Sequence, residues 1–181
     1  MSRLRIFKEN DGGSALFDST EHAAISRELG TVGVRFEQWQ ASQPIQPGDA
    51  PETVIAAYRN DIDRLMTDHG YQAVDVISLN ADHPDKAALR AKFLNEHTHS
   101  EDEVRFFVAG RGLFTLHIGE NVYEVLCEQG DLIGVPDGTR HWFDMSEQPS
   151  FVAIRLFTNT AGWVANFTGD DIALRFPRLA A

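Results

Sequence analysis

The sequence predicts a mainly β protein, an antiparallel sandwich or small barrel with a few flanking α-helices, and three observations carry that reading. Six strand-like runs follow one another in the second half of the chain, at 104–109, 113–118, 122–126, 132–135, 139–145 and 151–157. The segments between them, Gly-Arg-Gly, Gly-Glu-Asn, Glu-Gln-Gly-Asp, Pro-Asp-Gly and Glu-Gln-Pro-Ser, are turn chemistry, and none is long enough for a helix. Helical spacing is confined to residues before Asn95.

Taken in order, residues 4–7 are short and apolar, a first strand broken by Asp11-Gly12-Gly13. Asp18, Ser19 or Thr20 can cap a helix running to about Leu29, with Gly30 as its stop. Residues 32–39 alternate, Val34, Phe36 and Gln38 against Arg35, Glu37 and Trp39, as a strand does. The run from Gln43 to Gly48 is an exposed connector. Pro51 suits a first helical turn, Ile55, Tyr58, Ile62, Leu65 and Met66 recur at helical spacing, and Gly70 ends the pattern, which predicts one helix over 51–70. A strand over 71–79 and a short helix over 84–94 then deliver the chain to Asn95. After Phe157 the tail is expected to be irregular.

At 181 residues the chain is expected to be a single domain. Within it, residues 1–94 supply strands and helices that pack on the barrel, 95–157 form its core, and 158–181 are a tail. A net charge of -11 argues against nucleic acid, whose binding needs clustered Lys and Arg, and against an anionic membrane surface. A small diffusing ligand fits better. The lone Cys127 lies in a strand-like run and reads as a core residue, and with no second cysteine the Cys-rich zinc motifs are excluded. The first residues carry no apolar leader and no run reaches membrane length, so a cytoplasmic protein is expected.

The stretch 95–110 carries the chemistry. His97 and His99 are two apart and leave one face of a strand, and Glu103, Arg105 and Phe107 share a parity. His141, after the turn-rich run from Gly130 through Pro136 and Gly138, can close the group from a neighbouring strand. Two imidazoles, a carboxylate and a third imidazole, without thiolate, suit Fe, Ni, Mn or Zn. Gly110 is expected to make a tight turn after the ligand strand, and Pro136 with Gly138 to shape the hairpin that aims His141. Arg105, near a divalent ion in a low-dielectric interior, needs an anion, either a carboxylate at the barrel mouth or a substrate.

His97-Thr98-His99, Glu103 and Gly110 resemble the first signature of the cupin superfamily, and Gly130, Pro136, Gly138 and His141 the second. Ala91 and Met145 depart from the Gly and Asn usual at the outer ends of the two signatures. The cupin resemblance implies a double-stranded β-helix, or jelly roll. Phe93 to His99, Glu101 to Val108, His141 to Met145, Phe167 to Ile172 and Glu52 to Tyr58 are similar to the acireductone dioxygenases of methionine salvage. That resemblance implies one Fe²⁺ or Ni²⁺ per chain on His97, His99, Glu103 and His141, with Arg105 stabilising the substrate dianion. It implies roles for Glu96 in metal incorporation and for Asp102 in relaying conformational change. The iron form would give 4-methylthio-2-oxobutanoate and formate, and the nickel form 3-methylthiopropanoate, formate and CO. A dry pocket for the methylthio tail is expected from among Phe93, Phe107, Trp142, Phe143 and Trp163, and Arg155, whose strand face is open, is a further candidate for the dianion role of Arg105. The expected partners are acireductone and O₂, and the expected state is a monomer. Two rivals remain: a cupin isomerase acting on a sugar phosphate with Zn, and a metal-bearing cupin that binds a ligand without turning it over. His22, His69, His83 and His117 match neither signature and read as structural.

Overall fold

The structure, a computed structural model, describes residues 1–181. The first strand, β1 (Arg3–Lys8), buries Leu4, Ile6 and Phe7 and pairs with β2 (Phe17–Ser19). Asp18 and Ser19 thus belong to a strand and not to a helix cap. Helix α1 (His22–Gly30) starts after Glu21 without any side-chain cap. Its stop also differs from expectation: Gly30 is the last helical residue, and right-handed Thr31 caps the end. Strand β3 (Arg35–Gln38) is shorter than the alternation suggested. The single helix predicted over 51–70 is two, α2 (Pro51–Ala57) and α3 (Arg59–His69), broken at Tyr58. The buried Tyr58 ring meets Phe106 edge-on and its hydroxyl accepts the Gln43 N–H, so tertiary contacts fix a backbone the helix would not allow. Gly70, left-handed at φ 73, ends α3 as its position predicts. Strand β4 (Ala73–Leu79) and helix α4 (Lys86–Leu94) follow, and Ala91 is an ordinary helical residue there.

The two-residue strand β5 (His97–Thr98) precedes β6 (Glu103–Ile118), a 16-residue strand around which the fold is arranged. Two strands joined by a Gly-Arg-Gly turn were expected here. Instead the chain runs straight through and changes sheet. The first half of β6 lies between β10 (Phe151–Phe157) and β8 (Asp131–Val135), with β4 beyond β10 and β3 beyond β8. Its second half lies between β9 (Arg140–Asp144) and β7 (Asn121–Glu128), which leads on to β1 and β2. Gly110 is the bend. Its φ is +66, and a Cβ there would sit 1.8 Å from the Ser150 carbonyl oxygen, so only glycine fits both the conformation and the approach. Expected as a turn, this glycine is a strand kink.

Every strand pairing is antiparallel, and the two sheets share β6 without the strand order closing into a ring. This is the predicted cupin-type jelly roll, opened along its edges. A 19-residue core that includes Leu4, Phe107, Phe114, Phe143 and Phe151 fills the space between the sheets. A second core, with Val104, Phe106, Val108, Tyr58 and Ile62, packs α2 and α3 on the outer face of the sheet formed by β3, β8, β6, β10 and β4. Alternate residues of β6 therefore enter different cores, the period expected of a strand buried on both sides. The turn 136–139 is not a hairpin, because β8 and β9 pair with different halves of β6 and never with each other. It carries the chain from one sheet to the other, and the Gly138 N–H donates to the His99 carbonyl. The tail is less irregular than expected: Asn166–Phe167 forms β11 against β5, and 3₁₀ turns span Thr160–Trp163 and Ile172–Arg175. No helix is long and apolar enough to cross a membrane.

Candidate metal centre

Three imidazoles meet between the sheets. β5 brings His97, the loop after it brings His99, and β9 brings His141, which pairs directly with His97 across the ladder. Their ligand nitrogens all lie within 4.8 Å of one another and all three residues are buried. Each ring is fixed by its far nitrogen. His97 Nδ1 lies 2.7 Å from the Asn95 carbonyl, His99 Nδ1 3.0 Å from that of Val164, and His141 Nδ1 2.8 Å from that of Thr139. A carbonyl only accepts, so each Nδ1 carries the proton and each Nε2 presents a lone pair. His141 is further held by Phe114, stacked at 5.2 Å and 12°.

Glu103, at the start of β6, closes the fourth side. Its Oε2 lies 3.5 Å from His99 Nε2 and 3.9 Å from His141 Nε2. These three atoms are buried and none has a hydrogen-bond partner. Orphaned buried atoms of one polarity are costly, and a cation accepts from all of them at once. The donor set fits a divalent ion. Electrostatics agree: burial holds His97 down to about 4 and His141 to about 3, and lowers His99 as well, so all three imidazoles are neutral at pH 7. For Glu103, burial opposes ionisation, but Arg105 foremost and then the imidazoles outweigh it, and the carboxyl falls to about 2.

The second sphere of predicted residues divides. Arg105 is 1% exposed, and its Nε donates to Glu103 Oε1 at 2.9 Å. Nη2 is equally near that oxygen but off any hydrogen-bonding direction, so Nη1 and Nη2 are left unsatisfied. The guanidinium lies over Phe143, 4.7 Å from the ring centre, and Phe114, at 4.9 Å, with Phe93 at 5.9 Å. Arg155, whose direction was open, turns inward and forks onto Asp75. Glu96 sits between α4 and β5. It is buried, takes the Thr168 hydroxyl at 2.8 Å, and lies 2.6 Å from His117 Nδ1. Asp102 is exposed, and its carboxylate accepts the Asp137 N–H in the turn leading to His141.

Of the aromatic candidates, Phe93 and Phe143 meet edge to face beside Arg105, and Phe107 packs behind Phe143 at 6.2 Å. Trp163 stands at the rim, 40% exposed, against Phe157. Trp142 is a correction: it alternates with His141 and Phe143, faces the other way, and packs with Phe7 and Phe176 in an outer cluster. Met145 is plain core. Sequence reading missed Phe114, Asp75 and His117. The lone charge of Asp75 between Val74 and Val76 was the available signal, since a carboxylate inside an apolar strand needs a partner. For His117, whose Nε2 also reaches Glu9 at 2.8 Å, there was none.

A jelly roll holding a tight imidazole cluster on its inner side defines a metal-binding protein of the cupin class. Within that class the sequence is specific: residues 3–165 match the ARD/ARD′ family model, and the chain belongs to that family. An acireductone dioxygenase of Pseudomonas savastanoi pv. phaseolicola is 64% identical over 99% of each chain. One of Stenotrophomonas maltophilia is 59% identical, covering 98% of this chain and 96% of the relative. Among solved structures, an acireductone dioxygenase of Bacillus anthracis with a cadmium ion in its active centre superposes with a TM-score of 0.79 at 32% identity, over 92% of this chain and 98% of the other.

Proposed function

We propose that this chain cleaves acireductone with O₂, using one divalent ion held by His97, His99, His141 and Glu103, with Fe²⁺ and Ni²⁺ both admissible. The observation that carries the reading is the set of unsatisfied buried atoms, His99 Nε2, His141 Nε2 and Glu103 Oε2 on one side and Arg105 Nη1 and Nη2 on the other. The first set asks for a cation and the second for an anion. Bound there, the ion would supply positive charge that favours the deprotonated enediol. The chain's own residues do the rest. Neutral imidazoles with fixed Nδ1 protons hold their lone pairs on one point. Arg105 meets the anionic oxygens of the substrate, its charge made more effective by burial among Phe93, Phe114 and Phe143. Phe93, Phe143 and Trp163 give an apolar wall for the methylthio tail, backed by Phe107 behind Phe143, keeping bulk water from the enediolate. Glu96 anchors the backbone entering His97, in keeping with a part in metal loading, and Asp102 ties the loop before Glu103 to the turn before His141.

Imidazole and carboxylate accept both iron and nickel, with Ni²⁺ above Fe²⁺ in general affinity, so the ligand list does not choose between them. The test is to strip the protein, reload it with each ion, and follow O₂ uptake and CO release with acireductone. Uptake in both halves, with CO only from the nickel half, is expected. No uptake in either would refute the dioxygenase reading and leave the isomerase and ligand-binding cupins standing.

A further inference from the structure

Asp75, Arg155 and Arg105 are direct cross-strand partners on β4, β10 and β6, so the three side chains leave one face of that sheet in a row. Two arginines side by side in that position are unfavourable unless each is offset, and they are 1% and 8% exposed. Each has one carboxylate: Glu103 for Arg105, and Asp75 for Arg155, through Nε to Oδ1 at 2.9 Å and Nη2 to Oδ2 at 2.5 Å. The fork leaves Nη1 of Arg155 outside it. Both guanidiniums look onto the same ring, Phe93, at 5.9 Å and 5.8 Å, and Arg155 also lies 5.5 Å from Phe157, which packs on His99. The second arginine therefore borders the metal centre, not the outer surface.

Charge makes the arrangement informative. Two guanidiniums and two carboxylates cancel. A divalent ion on Glu103 would leave the group two positive charges in excess, which a dianion matches and a neutral or singly charged ligand does not. We propose that Arg155 is a second substrate-binding guanidinium beside Arg105, and that Asp75 is the positioning residue that sets its aim. This rests on the acireductone reading above for the identity of the anion, but not for its charge. Asp75 itself does not touch substrate. Its side chain is 31% exposed, so its replacement leaves no sealed void.

The experiment compares Asp75→Asn, Asp75→Glu and Arg155→Gln with the parent, all iron-loaded, by O₂ uptake with acireductone and by anaerobic calorimetric binding of squarate, a planar oxo-dianion. Losing a charged hydrogen bond to an anion is worth roughly a tenfold change in affinity. Asp75→Asn should raise KM and squarate Kd by about that factor while kcat, metal content and melting temperature hold within about twofold or a few degrees. Asp75→Glu should recover most of the loss, which a merely structural role would not show. Unchanged KM and squarate Kd in both Asp75→Asn and Arg155→Gln would overturn the proposal, as would a parent that does not bind squarate. A parent that binds squarate, with the expected losses, yet consumes no O₂ would support the two-arginine site and sink the acireductone reading instead.

Discussion

At the residue scale, function is carried by atoms that the folded chain leaves without partners. Arg105 separates two expectations made from sequence, a carboxylate partner or a substrate anion, and the structure gives it half of each. Its Nε is taken by Glu103 and its two terminal nitrogens are not. We therefore expect Arg105→Gln to keep the metal and lose roughly a hundredfold or more in kcat/KM, the range for removing a contact made to developing charge. Steady-state kinetics showing less than about a tenfold loss would assign the arginine to the ion pair alone. The ligand residues were legible because their spacing is a covalent fact of the chain, and strand parity does the rest. Phe114 and His117 were not, because what gives them meaning, the stack on His141 and the carboxylates of Glu9 and Glu96, comes from segments distant in sequence.

At the scale of elements, α4 and β9 show how a helix sets a ligand. The α4 residue Arg90 forks onto Asp144 at the end of β9, at 2.8 Å and 3.1 Å, and the same carboxylate accepts the N–H groups of Ser146 and Leu179. One buried carboxylate thus joins the helix leading to His97, the strand bearing His141, and the C-terminal tail. Burial alone would raise the Asp144 pKa, but Arg90 and the two N–H donors lower it below its ordinary value. A lowered folded-state value means stability that is present above the unfolded pKa and lost as pH falls through the folded one. Asp144→Asn should cost about 2–3 kcal/mol near neutrality, since it leaves a partly buried guanidinium without its charge partner. It should also flatten the acid limb of the stability curve below about pH 4, where the parent alone loses the pair. Urea midpoints measured from pH 3 to 7 check both, and a parallel acid limb in the two proteins would show that Asp144 is not the titrating group.

The elements themselves were mostly readable, and the failures have physical causes. Gly-Arg-Gly carries the composition of a turn, but whether glycine reverses a chain or kinks a strand depends on what lies alongside, here the Ser150 carbonyl. The break at Tyr58 has no local signal, since the apolar spacing continues across it. Gly110→Ala tests the kink. The left-handed φ and the overlap with backbone are both prohibitive, and a loss of several kcal/mol is expected, more than the about 1 kcal/mol of an unstrained glycine replacement. Soluble yield and denaturant midpoint measure it, and a midpoint near the parent's would mean that β6 can bend without the glycine.

At the scale of the whole molecule, one strand shared by two sheets explains why the site is where it is. The first half of β6 brings Glu103 and Arg105, its second half pairs with the strand that brings His141, and β5 hangs beyond that strand with His97. Ligands separated by up to 44 positions meet because the jelly roll folds β6 against its own neighbours. The cupin signatures made this architecture legible, whereas the open strand order and the crossing at 136–139 follow from pairings no local pattern encodes. The account stands or falls on a single ion at that junction, and metal content per chain tests it most directly. Elemental analysis should find about one divalent ion in the parent, reloaded with Fe²⁺ or Ni²⁺ and desalted, and sharply less in His97→Ala and His141→Ala variants that stay folded by circular dichroism. Parent-like stoichiometry in both variants would place the metal elsewhere and contradict the account.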